Sequence, residues 1–209
     1  MTMDTPHRGN VTGLVLAGGL GRRMGRVNKA FVPFAGGRLV DPVIASLSKQ
    51  VRSVWVSANE DAEAFEALGV ERVLPDVGDD RPGPLAALEA VGHSGLLETD
   101  WIMTSPCDVP HLPDTLLGLF AEASRRHPEA RAFYIVSGGR DQSTIALVHR
   151  SLLDDVAAYL ASGERRVRSW LVENARAVPV LWEGDPRAFE NVNTPEDLER
   201  VTSEMSEGR

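Results

Sequence analysis

The stretch Val11-Thr12-Gly13-Leu14-Val15-Leu16-Ala17-Gly18-Gly19-Leu20-Gly21-Arg22-Arg23-Met24-Gly25 decides the fold class. Its first seven residues are a short, apolar, β-prone run stopped by Gly18-Gly19, which is the pattern of a buried strand. Similar runs recur at 51–57, 71–74, 101–105 and 133–137. Helical patterns lie between them, at 42–50, 60–68, 85–91 and 114–126, with Pro113-Asp114 reading as a helix start and Gly69 as a helix stop. Strands alternating with helices predict an α/β fold, a mostly parallel sheet with helices on both faces. The alternation loosens beyond Tyr134, where the pattern predicts a strand at 144–149, helices at 151–160 and 165–173, and a strand at 177–182. Thr194-Pro195-Glu196-Asp197 opens a last helix, with a threonine N-cap, proline at the first helical position and acids in the first turn.

No repeat, low-complexity tract or linker interrupts this order. The expectation is one domain over 11–202, with flexible segments at 1–10 and 203–209. A chain of 209 residues with 43% hydrophobic and 25% charged residues fits one domain whose core needs no staples. The one cysteine, Cys107, has no partner for an internal disulfide, which suits a reducing compartment. Residues 1–10 lack the apolar core of a secretory signal, and no apolar run is long enough to span a bilayer, so a cytoplasmic protein without membrane contact is expected.

Net charge is −8, from 22 Lys+Arg against 30 Asp+Glu, and that average field repels polyanions such as nucleic acid. Residues 16–29 are the exception: they contain no acid and carry Arg22, Arg23, Arg26 and Lys29. A basic segment in an acidic protein suits a small anionic ligand, and from charge alone a solvated basic turn reads equally well.

In open parallel sheets, ligands bind beyond the carboxyl ends of the strands. Gly18, Gly19, Gly21 and Gly25 follow the first strand, where backbone amides can approach phosphate oxygens and form an anion-binding nest. The loop is not a Walker loop, since Gly-Lys-Ser/Thr is missing, nor a dinucleotide fingerprint, since Met24 stands at the third required glycine. With Arg22, Arg23 and Lys29 attached, it reads as a triphosphate site. Asp108 follows the strand at 101–105 and sits between Pro106 and Pro110, a stiff setting for a magnesium ligand, though an aspartate capping a turn fits the same pattern. Asp76 follows the strand at 71–74, placed either to meet a ribose or a metal-bound water or to serve as an ordinary loop residue. The five histidines show no paired ligand spacing, which argues against zinc. Cys107 has no base partner and reads as a small buried residue, and Trp55, Trp101, Trp170 and Trp182 read as core.

The segment 16–25 followed by Lys29 resembles the nucleotide loop of the molybdenum cofactor guanylyltransferases, members of the nucleotidyltransferase superfamily with its Rossmann-like fold. Gly83-Pro84-Leu85-Ala86, Pro106-Cys-Asp-Val-Pro110, Thr144-Ile-Ala-Leu-Val148, Gly163-Glu-Arg-Arg-Val167 and Asn191-Val-Asn-Thr-Pro-Glu196 match the same family in the same order. The resemblance implies Mg²⁺-dependent transfer of GMP from GTP to the phosphate of molybdopterin, with release of pyrophosphate. It implies that Leu16, Ala17, Gly18 and Gly19 hold the nucleotide, with Ser57 and Asp76 beside it and Lys29 on its phosphates. Arg22, Arg23, Lys29 and Asp108 become the catalytic set, with Asp108 as the metal ligand, and Pro110, Arg166, Asn191 and Asn193 hold molybdopterin. Transient contacts with other cofactor-biosynthesis proteins are a further expectation. Three departures from the family pattern bear on base selectivity: Asn28 replaces a common aspartate, Ser57 a common asparagine (Asn59 is close by), and Asp141-Gln142-Ser143 a common Asp-His-Pro. A cytidylyl or sugar-phosphate nucleotidyltransferase, and a non-catalytic GTP-binding regulatory module, are the competing readings.

Overall fold

The computed structural model describes residues 3–18, 28–77 and 83–207, so Gly19, Arg22 and Arg23 lie outside the described residues. Among the described residues the strands are β1 (Val11–Leu16), β2 (Pro33–Phe34), β3 (Gly37–Arg38), β4 (Ser53–Ser57), β5 (Arg72–Leu74), β6 (Trp101–Pro106), β7 (Ala132–Ser137), β8 (Arg140–His149) and β9 (Val178–Trp182). Seven of them form one sheet in the order β5-β4-β1-β6-β8-β7-β9, while β2 and β3 pair in a separate small hairpin. In the large sheet β8 alone runs against its neighbours, so the carboxyl ends of the other six strands share one rim.

The helices are α1 (Asp41–Gln50), α2 (Ala62–Glu66), α3 (Pro84–Ser94), α4 (Leu116–Arg126), α5 (Leu153–Ala161), α6 (Val167–Ser169) and α7 (Pro195–Glu207). Side chains alternate across the strands, and the alternation sorts the core into two layers. Val11 and Val15, Val54 and Val56, Trp101 and Met103 pack with Leu47 of α1, Phe65 of α2 and Phe120 of α4. Leu14, Trp55 and Ile102 point to the other face, against Leu88 of α3 and Val156 of α5. Both faces are thus covered, which is why β1 reads as a mostly apolar run rather than an alternating one. Gly13 lies where β1 meets the end of α1: an added Cβ would stand 3.1 Å from Val51 Cγ2. A third, smaller cluster joins Phe34 and Leu39, from and just after the hairpin, to Val192 and Val201 at the other end of the chain. Among the described residues no helix is long and apolar enough to cross a membrane.

Several boundaries differ from those the pattern predicts. β8 begins at Arg140 rather than 144, because Gly138 and Gly139, both at positive φ, turn the chain so that polar residues 140–142 pair with β7. The helix expected over 165–173 is a short α6 followed by a π-helical turn at Trp170–Asn174, whose winding accompanies the burial of both Trp170 and Leu171. α4 begins at Leu116, beyond Asp114, whose carboxylate is bonded to Lys49; buried Gln50 caps the helix by accepting the Leu117 N–H at 3.0 Å. Residues 3–10 lie against the body where a flexible segment is expected. Met3 N–H donates to the Pro128 carbonyl, Trp101 Nε1–H to that of Asp4 and the Arg8 guanidinium to those of Ser48 and Val51. At the other end, α7 runs on to Glu207, past the expected boundary at 202.

His149 ends β8 edge-on to Trp101, with ring centroids 4.9 Å apart, and its Nδ1 accepts the Ser151 N–H at 3.2 Å. Burial pushes its pKa below the ordinary 6.5, against a smaller opposing pull from Asp100. The unfolded chain therefore takes up a proton in a range where the folded chain does not. Stability falls as pH drops through about 6.5, and the fall ends once the folded-state pKa is passed. Urea midpoints measured between about pH 7.5 and about pH 5 are expected to fall less steeply with acidification in His149→Gln than in the wild type. Parallel profiles for the two proteins would remove His149 from the account.

Candidate active site

Two polar groups sit on the shared rim. The first is built around Asp108, two residues beyond β6. Cys107 N–H reaches the Leu16 carbonyl at 3.2 Å, carrying the β1–β6 pairing past the strand ends, and the Asp108 carbonyl accepts the Val192 N–H at 2.9 Å. The backbone of Asp108 is thereby pinned between the first strand and the C-terminal loop. Its largely buried carboxylate bonds the Lys29 ammonium through Oδ2, and through Oδ1 it accepts Asn191 Nδ2–H at 2.6 Å. Lys29 also donates to Asn193 Oδ1 at 2.8 Å, closing a four-residue cluster whose members Lys29 and Asn193 are 164 positions apart.

Both ends of the cluster are capped locally. Asn28 Oδ1 accepts the Ala30 N–H at 3.1 Å and so starts the short 3₁₀ helix Lys29–Phe31. Its Nδ2–H donates to Asp61 Oδ2 at 2.9 Å. An aspartate at 28 has no N–H for Asp61, so the departure from the family pattern is matched by a local partner. At the far end, Asp197 accepts the N–H groups of Asn193 at 2.9 Å and Thr194 at 3.0 Å, while Thr194 Oγ1 accepts the Asp197 N–H. The Asn193 N–H, together with the Thr194 N–H, holds the Asp197 carboxyl below the ordinary carboxylate range. This helix start presents the asparagine loop to Asp108.

The second group lies where β4 and β5 end. Asp76 Oδ2 accepts Asn59 Nδ2–H at 3.0 Å, Asp76 Oδ1 accepts the Ser57 hydroxyl at 3.3 Å, and the Asp76 N–H donates to Asn59 Oδ1 at 2.8 Å. Gly18 faces this pair, with its missing Cβ 3.5 and 3.8 Å from the two Asp76 carboxylate oxygens. Ala17 N–H donates to the Ser57 carbonyl at 2.9 Å, so the Leu16–Gly18 turn runs between the two polar groups.

A domain described as MobA-like NTP transferase domain matches residues 13–178. The chain belongs to the MobA-like NTP transferase family. Relatives named molybdenum cofactor guanylyltransferase align along almost all of it. One from Photobacterium profundum is 33% identical over 93% of this chain and 97% of its own length. One from Cupriavidus metallidurans is 35% identical over 96% and 98%. Among solved structures, molybdopterin-guanine dinucleotide biosynthesis protein A from Archaeoglobus fulgidus shares the fold with a TM-score of 0.74 at 20% identity, covering 94% of this chain and 99% of that one. A CMP:2-keto-3-deoxy-manno-octonic acid synthetase complexed with CTP shares it at a TM-score of 0.68 and 16% identity, over 97% of this chain and 100% of that one. The family fold by itself does not choose the base.

Of the residues expected in the family site, Lys29, Asp108, Asn191 and Asn193 meet directly, and Ser57, Asp76 and Gly18 meet in the second group. Pro110 is buried in the turn after Asp108. Arg166 is exposed ahead of α6, and among the described residues no hydrogen bond joins it to the Asp108 cluster. Its neighbours are engaged elsewhere, Arg165 with the carbonyls of Leu160 and Glu164, and Arg168 with the carboxylate of Asp141 on β8. Sequence reasoning gave no role to Asp61 and did not foresee the pairing of Arg168 with Asp141. A capping pattern at 194–197 was visible, but the partners of Asp61 and Asp141 lie far along the chain.

Burial, with the adjacent Asp108 charge, pushes the Cys107 thiol up to about 12, so it stays protonated and is no nucleophile. Among the described residues no group of three or more His, Cys, Asp or Glu is arranged to hold a metal ion. A cation here would depend on Asp108 and on oxygens brought by a ligand. Replacing Asn191 by leucine strips Asp108 Oδ1 of its donor, and we expect a loss of about 1–3 kcal/mol in urea unfolding of the ligand-free chain. A loss below about 0.5 kcal/mol would mean that water replaces the amide without cost.

Proposed function

We propose that this chain transfers GMP from GTP to the phosphate of molybdopterin and releases pyrophosphate, with Mg²⁺ held at Asp108. The observation that carries the reading is the contact of Lys29, Asp108, Asn191 and Asn193 at the strand ends, one carboxylate and one ammonium flanked by two amides. The names of the aligned relatives support the same reaction.

In the proposed reaction an oxygen of the acceptor phosphate attacks the α-phosphorus of GTP. A new P–O bond forms as the bond from the α-phosphorus to the bridging oxygen breaks, and the electron pair leaves with pyrophosphate. The attacking phosphate is already an anion, so the chemistry asks for positioning and charge neutralisation rather than a strong base. That fits a site whose cysteine is protonated. Magnesium takes one or two carboxylates together with substrate oxygens and water, and the single Asp108 carboxylate suits that donor set. When bound, the ion supplies positive charge to phosphate oxygens.

Lys29, which neutralises Asp108 in the free chain, serves the triphosphate as a point charge. Arg22 and Arg23 take the departing pyrophosphate. The backbone of Leu16, Ala17, Gly18 and Gly19, with Ser57 and Asp76, takes the guanine nucleotide. Pro110, Arg166, Asn191 and Asn193 take the acceptor, whose phosphate and heterocycle call for a guanidinium and for amides that both donate and accept. A cytoplasmic location and passing contact with the proteins that deliver the acceptor go with this reading.

The test is pyrophosphate release from a panel of GTP, CTP, ATP and UTP, with and without molybdopterin. Release with GTP and molybdopterin together is expected. Preference for CTP would overturn the base, release with a sugar phosphate alone would overturn the acceptor, and GTP binding without release under any acceptor would leave a regulatory module. For Asp108→Ala we expect kcat to fall by about 10²–10³ while the GTP Kd moves less than about tenfold. For Lys29→Ala the GTP Kd, read by calorimetry, is expected to rise about 10- to 100-fold.

A further inference from the structure

We infer that Asn59 is a positioning residue for nucleotide recognition, acting through Asp76; the inference rests on the nucleotide-binding reading above. Both ends of the Asn59 amide are used on one residue, Nδ2–H on the Asp76 carboxylate at 3.0 Å and Oδ1 on the Asp76 N–H at 2.8 Å. A two-way pair of this kind fixes the amide plane, and with it the backbone and the carboxylate of Asp76 together. Ser57 adds a longer contact to the other carboxylate oxygen, at 3.3 Å. A carboxylate offers about four acceptor positions, so both oxygens keep capacity for a ligand.

Gly18 shows which way that capacity faces. Its backbone is not left-handed, so conformation does not demand glycine there. What glycine provides is space, since a Cβ would stand 3.5 and 3.8 Å from the carboxylate oxygens and 3.9 Å from Asn59 Nδ2, and a longer side chain would cover the pair. The carboxylate is therefore open toward the turn assigned to the nucleotide. An acceptor-only face calls for two neighbouring donors, and a guanosine nucleotide has two such pairs. One is the N1–H and 2-amino group of the base, the other the two ribose hydroxyls. Asn59 itself is exposed and lies outside the core, so its replacement tests positioning rather than folding.

The same loop is anchored on its other side, where Asp61 accepts from Asn28, the residue before Lys29. Asn59 thus stands on a segment tied both to the phosphate lysine's neighbour and to Asp76.

The experiment uses the full chain as wild type, Asn59→Ala, Asp76→Ala and the double variant. Binding of GTP, inosine triphosphate (which lacks the 2-amino group) and 2′-deoxy-GTP is measured by calorimetry, together with turnover at saturating GTP and thermal melts. Asn59→Ala is expected to raise the GTP Kd about tenfold, to leave kcat within about twofold, and to add nothing once Asp76 is already alanine. If the wild-type preference for GTP over inosine triphosphate collapses in Asn59→Ala, the donors are those of the base; if the preference over 2′-deoxy-GTP collapses, they are those of the ribose. Either result upholds the positioning role. An unchanged GTP Kd in Asn59→Ala, or full additivity with Asp76→Ala, overturns it while the nucleotide reading stands. A wild type that binds no GTP removes that reading and the inference with it.

Discussion

A carboxylate drawn into the rim of an apolar sheet must find donors within the protein or in a ligand, and Asp108 finds them at opposite ends of the chain. Lys29 comes from the segment after β1 and Asn191 from the loop before α7. Neither partner is delivered by the seven-stranded sheet. What delivers them is the small cluster of Phe34, Leu39, Val192 and Val201, which packs the hairpin after Lys29 against the helix after Asn191. A few buried side chains outside the main core thus set where a charged pair meets, and the pair in turn ties the two loops to the end of β6.

The sheet contributes a second constraint, the common rim. Because β8 alone is reversed, the turn that starts it lies beside the carboxyl ends of the other strands, and Asp141 joins the rim although it begins a strand instead of following one. The polar groups around Asp108 and Asp76 flank the Leu16–Gly18 turn, each anchored to a different neighbour of β1. In the proposed reaction that division gives the phosphates to one group and the nucleoside to the other.

The strands and most helices were legible because burial leaves a periodic signature: β1, β4 and β6 are apolar runs between two covered faces. The β2–β3 hairpin was not, since two-residue strands carry no period, although positive φ at Ala35 and Gly36 marks the kind of turn that joins them. The first residues of β8 were missed for a related reason. Arg140, Asp141 and Gln142 are strand because they pair with β7, not because they are apolar. Within the site, Lys29, Asp76 and Asp108 were singled out by residue type and by their place in the chain after strands, while Asn191 and Asn193 entered through family resemblance. Asn59 stood out only as an asparagine two positions from the family one that Ser57 replaces, and Asp61 only as an acid in a helical pattern, because their meaning lies in contacts with residues 17 and 33 positions away.

The late position of the asparagine loop has a consequence for how the molecule is made. All nine strands described here are complete once residue 182 has been synthesised, yet Asp108 still lacks Asn191, and Lys29 lacks Asn193. The segments of the sheet therefore all precede the residues that close its charged centre. Until α7 settles on the hairpin, the sheet can stand nearly finished while the cluster around Asp108 is still unassembled.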